Sequence, residues 1–361
     1  MAPHRTLPPR RGQRGLTLVE FMVSIAIGML MVAALATLIA DQSQNRAEID
    51  KAGRLIENGR YAIRAMADEI QMAGYWGELS AAPAAPGALP DPCSVTVADL
   101  TAAMGLHVQG YTPNNTTSAA GYNPTSPTTT AAPTCLSNHK LGTDILVVRR
   151  VDPDSSMYET GGVTDTGKLT SGNNKYLVYL QSGLTATGTA FTSALGMGQD
   201  HATTFTLKKK DRTTMATVRK MIVRIYYVTS CSVCTGTPDT TPTLKMRELS
   251  SASTGTVLAD AITLSEGVEN LQVDYGVDTD SDGVPDSDVN GGALAVADWA
   301  NVMSVKIHLL VRSPEATAGY TDAKTYTLGT AGTTAATSDG FKRHVFSQSV
   351  RLVNPSGRRL P

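Results

Sequence analysis

Arg14-Gly15-Leu16-Thr17-Leu18-Val19-Glu20 runs straight into FMVSIAIGMLMVAALATLIA, residues 21–40, and this stretch decides the architecture. Residues 21–40 carry no charge. Twenty residues of α-helix span about 30 Å, the thickness of the hydrocarbon core of a bilayer. Arg5, Arg10, Arg11 and Arg14 precede Leu16, and no Asp or Glu does. A basic flank stays on the cytoplasmic side, so the rest of the chain is expected outside the inner membrane. Glu20 is the anomaly. A carboxylate inside an apolar stretch that begins at Leu16 is costly to bury and calls for a cationic partner.

An ordinary export signal has a shorter apolar region followed by a small-residue cleavage site. Ala34-Leu-Ala36 could supply one, but the apolar run continues through Ile39 and Ala40. A plain anchor accounts for the span and leaves Glu20 without a reason. The run from Arg14 to Glu20 resembles the type IV prepilin signal. In that family a prepilin peptidase cuts after the glycine and methylates the new amino terminus. The resemblance implies that Gly15 ends the leader, Leu16 is the new N-terminus and Glu20 is the fifth mature residue. Most members begin the mature chain with Phe; Leu16 departs from that but keeps a bulky apolar residue. Gly15 has no side chain to obstruct a protease, and extended backbone costs it little. The resemblance further implies that Glu20 neutralises the amino terminus of a neighbouring subunit in a filament core. Such a pair offsets the burial of two charges and selects a stagger between subunits. Snorkelling of Glu20 to the headgroups is the alternative.

Beyond Asp41 the apolar run stops, but helix signals continue. Ile49, Ile56, Ile63 and Ile70 recur every seven residues, with Ala52, Gly59, Met66 and Ala73 between them. That alternation draws one apolar stripe, and no proline occurs between Leu16 and Tyr75. A helix over about 16–74, ending near Gly74 and Gly77, is expected. The stripe fits a core face against a sheet of the same chain better than a coiled-coil seam. The expected organisation is a leader at 1–15, a transmembrane half-helix at 16–40, a periplasmic amphipathic half at 41–77 and a β-rich head at 78–361. The fold class is α+β and pilin-like, a long helix packed on an antiparallel sheet.

Aromatic residues make up 5% of the chain, and the middle is rich in Thr, Ser, Ala and Gly, which suits β-structure with long polar loops. Residues 80–135, with Pro83, Pro86, Pro90 and Pro92, read as loop, and the sequon at 115–117 as chance. Strands are expected at 143–151, 175–181, 203–208, 218–229, 243–249, 268–277, 301–312, 324–328 and 341–353. Cys93, Cys135, Cys231 and Cys234 suit two disulfides in an exported chain, with three pairings open. Cys93–Cys135 and the local Cys231–Cys234 are favoured over a redox or zinc reading of Cys231-Ser-Val-Cys234. Val268 to Asp278, then Asn301 to Ser313, and the final Arg343-His-Val-Phe346 resemble the PilW group of minor pilins. So does the segment from Asn58 to Tyr75.

Asp278-Thr-Asp280-Ser-Asp282-Gly283-Val284-Pro-Asp286-Ser-Asp288 has the spacing of an EF-hand-like loop. Carboxylates at positions 1, 3, 5 and 9, glycine at 6 and the Val284 carbonyl at 7 can converge on one hard cation such as calcium. Val289 stands where a bidentate Glu would close the shell, and Asp288 is the substitute. A solvated turn is the competing reading.

The formal net charge is −1, and loss of residues 1–15 removes four arginines and no acid, leaving 27 cations against 32 acids, or −5. No global basic field points to nucleic acid. The six histidines make no HExxH, and GxSxG and P-loop patterns are absent, so an enzyme is not expected. The resemblance to the PilW group implies a minor pilin that helps prime filament growth near the pilus tip. Its implied partners are prepilin peptidase, other minor pilins, the major pilin and a pilus tip protein. A minor pseudopilin of type II secretion shares this architecture, and a membrane-anchored calcium-dependent adhesin is a third reading.

Overall fold

The structure is a computed structural model that describes residues 15, 17–81, 83–113, 122–123, 133–335 and 338–359. Leu16, the leader before Gly15 and the sequon lie outside the described residues. The chain divides into two compact units, residues 1–51 and 52–361.

One helix, α1 (Leu18–Gln71), runs through both units. Its start is capped locally: Thr17 Oγ1 accepts the Glu20 main-chain N–H at 3.3 Å. In the first unit residues 18–40 are exposed throughout, and the helix is long and apolar enough to cross a membrane. In the second unit Leu55, Gly59, Ala62, Ile63, Met66, Ala67 and Ile70 are buried. Of the four isoleucines of the heptad stripe, only Ile63 and Ile70 enter the core; Ile49 and Ile56 are 70% and 42% exposed. Gly59 marks the closest approach, since a Cβ there would lie 2.1 Å from the Phe346 ring. α1 stops earlier than the glycines suggest. Gly74, at φ +70°, then turns its N–H to the Arg149 carbonyl at 2.9 Å.

A second helix, α2 (Val97–Ala103), precedes β1 (Val108–Pro113), β2 (Tyr122–Asn123) and β3 (Ile145–Val151). Two short strands, β4 (Glu159–Thr160) and β5 (Val163–Thr164), pair only with each other. Next come β6 (Val178–Leu184), β7 (Phe191–Met197), β8 (Val218–Thr229), β9 (Thr243–Ala252), β10 (Gly255–Leu258) and β11 (Ile262–Glu266). The chain closes with β12 (Val268–Val277), β13 (Ser287–Asn290), β14 (Val302–Arg312), β15 (Thr325–Thr327), β16 (Thr333–Ala335) and β17 (Arg343–Arg351).

A nine-stranded antiparallel sheet runs β10-β9-β8-β3-β1-β2, with β11 on β9, β6 on β8 and β7 on β6. A four-stranded antiparallel sheet runs β13-β12-β14-β17. Buried α1 residues share one core with Leu146, Val148 and Tyr226 of the large sheet and Leu271, Val273, Ile307 and Leu309 of the small one. Ile145, Val147, Val223 and Ile225 point the other way, into a second core with Trp76 and Leu100. Both faces of β3 are therefore covered, and all seven of its residues are buried. The fold class is α+β: a long helix on antiparallel sheets.

Two expectations fail locally. Residues 203–208 are not a strand; His201–Thr204 is a helical turn, and Lys208 makes only isolated bridges to Leu184 and Met215. The presumed loop 80–135 contains α2 and β1. Cys93 is bonded to Cys135 and Cys231 to Cys234, with Cα separations of 5.6 and 5.3 Å.

Candidate functional site: the N-terminal signal and the acidic loop

Gly15 is exposed, and a Cβ built there meets nothing within 4 Å among the described residues. Glu20 follows five residues later, in the first turn of α1, and is exposed. Its main chain is engaged, the N–H by Thr17 and the carbonyl by the Ser24 hydroxyl at 2.7 Å. Its carboxylate makes no ion pair among the described residues.

The acidic loop joins β12 to β13. Asp278 is fully buried and accepts from Arg359 Nη1 at 3.0 Å, from the Ser281 N–H at 2.6 Å and from the Gly283 N–H at 2.9 Å. Gly283 holds φ +83°, which lets the backbone fold back over that carboxylate. Burial pushes the Asp278 carboxyl up, but Arg359 and the two N–H groups outweigh it and hold it below the usual range. Asp286 Oδ2 accepts from the Thr279 N–H at 2.7 Å and its hydroxyl at 2.6 Å, and these contacts lower its pKa.

One carboxylate oxygen from each of Asp278, Asp280 and Asp286 lies within 4.8 Å of the others. Asp282 and Asp288 stand outside that group. Asp282 caps the Val284 N–H at 2.7 Å, Val284 is 50% exposed, and Asp288 lies in β13 opposite Gly276. The loop is thus a hairpin connection, closed by the Asp286 N–H on the Val277 carbonyl at 2.8 Å, rather than a loop between helices. Arg359 was not legible as a member of the site. It comes from 81 residues further along the chain, after β17 and the helical turn Val353–Gly357.

Two other polar clusters fasten the head. Arg343 is buried and pairs with Asp322 at 3.0 Å, Asp339 at 2.7 Å and Glu269 at 2.5 Å. Burial pulls its pKa down, and the three carboxylates more than reverse that. His308 bridges strands, its Nδ1 at 2.8 Å from the Ser347 hydroxyl and its Nε2 at 3.3 Å from Asp274 Oδ2. Gly329 lies directly over that pair, where a Cβ would come within 2.1 Å of Asp274.

Residues 10–36 match the prokaryotic N-terminal methylation motif, and residues 225–354 match the type IV pilus-assembly protein W family. The chain is similar to type IV prepilins at its N-terminus and to the PilW group over the second half of its head. The methylation motif contains Gly15, Leu16 and Glu20. The PilW match runs from β8 to just beyond β17 and includes the acidic loop, but Arg359 falls outside it. No curated protein matches the chain. Among solved structures, a type IV-like pilin from Thermus thermophilus aligns at 11% identity and a TM-score of 0.31, covering 84% of this chain and 97% of that one. The middle of this PilW-like chain, residues 37–224, matches neither family model.

Proposed function

We propose that this PilW-like chain is a minor pilin that helps prime type IV pilus growth and sits near the filament tip. The observation that carries the reading is the coincidence of an exposed Gly15, Glu20 in the first turn of α1 and a full apolar span beyond it. Prepilin peptidase removes residues 1–15 on the cytoplasmic side, and the mature helix 16–40 waits in the inner membrane with the head, 78–361, in the periplasm. On assembly Glu20 meets the amino terminus of an adjacent pilin, because two opposite charges enter a dry helix bundle at lower cost than either alone. A head of about 280 residues suits a low-copy subunit better than one repeated along the whole shaft.

Asp278, Asp280 and Asp286 hold one calcium ion in the same reading, with Arg359 as its competitor for Asp278. An oxygen-only set from a short loop suits a hard cation of extracellular-type affinity. Support comes from the convergence of these three carboxylates.

Deleting the gene and counting surface pili tests the priming role. Fewer pili of unchanged length are expected, with the subunit at trace level in sheared filaments. Normal pilus number, or a subunit as abundant as the shaft protein, contradicts it.

A further inference from the structure

The small sheet has two unequal edges. β13 is a four-residue edge, whereas β17 is nine residues long and pairs with β14 at nine successive positions without a register shift. Proteins blunt exposed edges with Pro, Lys, bulges or covering segments. β17, Arg343-His-Val-Phe-Ser-Gln-Ser-Val-Arg351, contains no Pro, no Lys and no bulge. Ser347, Gln348 and Ser349 are all exposed, so both faces of the strand are open at its centre. Alternate residues of an edge strand turn their N–H and C=O away from the sheet. Among the described residues no main-chain group outside β14 bonds to residues 344–350.

We propose that the free edge of β17 takes an extended segment of a second, different protein as a fifth strand, with acidic residues near the Arg351 end. Backbone pairing fixes the shape of the occupant, because an unpaired ladder edge is complementary only to another extended chain. Charge fixes its composition. Lys306 stands directly opposite Ser349, on the face away from the core that holds Val305 and Ile307, and Arg351 lies two residues on along the same face. Arg351 donates to Ser356 Oγ and the Gly283 carbonyl, and neither it nor Lys306 meets a carboxylate among the described residues. Arg351 stands on the edge strand itself, with Lys306 one strand further in, opposite Asp274, so this end of the edge suits Asp or Glu on the incoming strand. A second copy fits badly. Antiparallel pairing of two β17 strands centred on Ser347 sets each Arg351 against Arg343, a guanidinium whose carboxylates are already engaged.

The proposal deepens the assembly reading above and rests on it for the partner's being a pilus protein. The test places a benzophenone photocrosslinker at Ser347, Gln348 or Ser349 in turn, in the full-length chain, in cells that assemble pili. Adducts are expected on one extended, acidic segment of another pilus protein, with the 347 and 349 probes landing two residues apart. Arg351→Glu should cut the yield about tenfold in a head that stays folded, since attraction at this end of the edge becomes repulsion. Arg351→Lys should keep it. A leader-free chain with no adducts, or with adducts only on itself, on a second copy or at helical spacing, overturns the proposal while leaving the filament reading intact. A chain that keeps its leader overturns both.

Discussion

Asp278 and Arg359 meet at 3.0 Å although 81 residues separate them, and the carboxylate of the pair is completely buried. The last described residues of the chain therefore hold down the loop that leaves β12. Removing one partner of such a pair costs more than the pair itself contributes, because the other charge stays buried. Arg359→Gln should destabilise the detergent-solubilised chain by about 2–4 kcal/mol, read by denaturant unfolding. The sign with pH follows from a carboxyl held below its unfolded value. Its contribution is complete above the unfolded pKa of 3.8 and is lost as pH falls through the lower folded value. Asp278→Asn should flatten that acid limb.

Calcium and Arg359 compete for the same carboxylate. Millimolar calcium should raise the melting temperature of the wild-type chain slightly and that of Arg359→Gln by several degrees, with chelator reversing both shifts. Identical melts with calcium and chelator in both proteins exclude calcium at this loop.

Gly59 faces the Phe346 ring at a distance no side chain fits. Gly59→Ala should cost about 1–3 kcal/mol through overpacking, despite alanine's better helix propensity. Phe346→Leu in the same chain should recover part of that loss, so a double-mutant cycle shows coupling. Additive effects would mean that α1 and β17 are not in contact.

His107 is buried, with Nε2 at 2.6 Å from the Val302 carbonyl. Burial, reinforced by Arg358, Arg359 and Arg149, lowers its pKa from 6.5 to about 4, against the opposing Val302 bond. The unfolded chain binds the extra proton first, so this contribution to stability is complete above pH 6.5 and is lost as pH falls towards 4. The loss amounts to about 3 kcal/mol at most. His107→Gln should remove the slope between pH 6.5 and 4, measured as melting temperature across that range.

Much of the fold was legible because its strongest signals are local. The uncharged span, the proline-free helix and the alternating runs at 218–229 and 268–277 needed only periodicity, and both strands have those bounds. β7, β10, β13 and β16 were not seen, because they are short or rich in Thr, Ser, Gly and Ala, and their partners supply the pairing; β11 alternates over only five residues. Residues 203–208 misled for the opposite reason, since Phe205 and Leu207 alternate with Thr but are buried from a turn. The site divides the same way. Gly15, Leu16 and Glu20 form a contiguous signal, whereas Arg359 joins the acidic loop only through tertiary folding. Ile49 and Ile56 show the limit of a periodic stripe, which marks a face without saying where its partner begins.

The proposed assembly role requires that a glycine, not a signal-peptidase site, ends the leader. Edman sequencing and intact mass of the membrane-extracted protein, made in cells that possess the peptidase, test it most directly. A chain beginning at N-methylated Leu16 is expected, with Thr17 next and the four leader arginines gone. A protein that still carries Arg5 to Arg14, or one cut after Ala36, contradicts it.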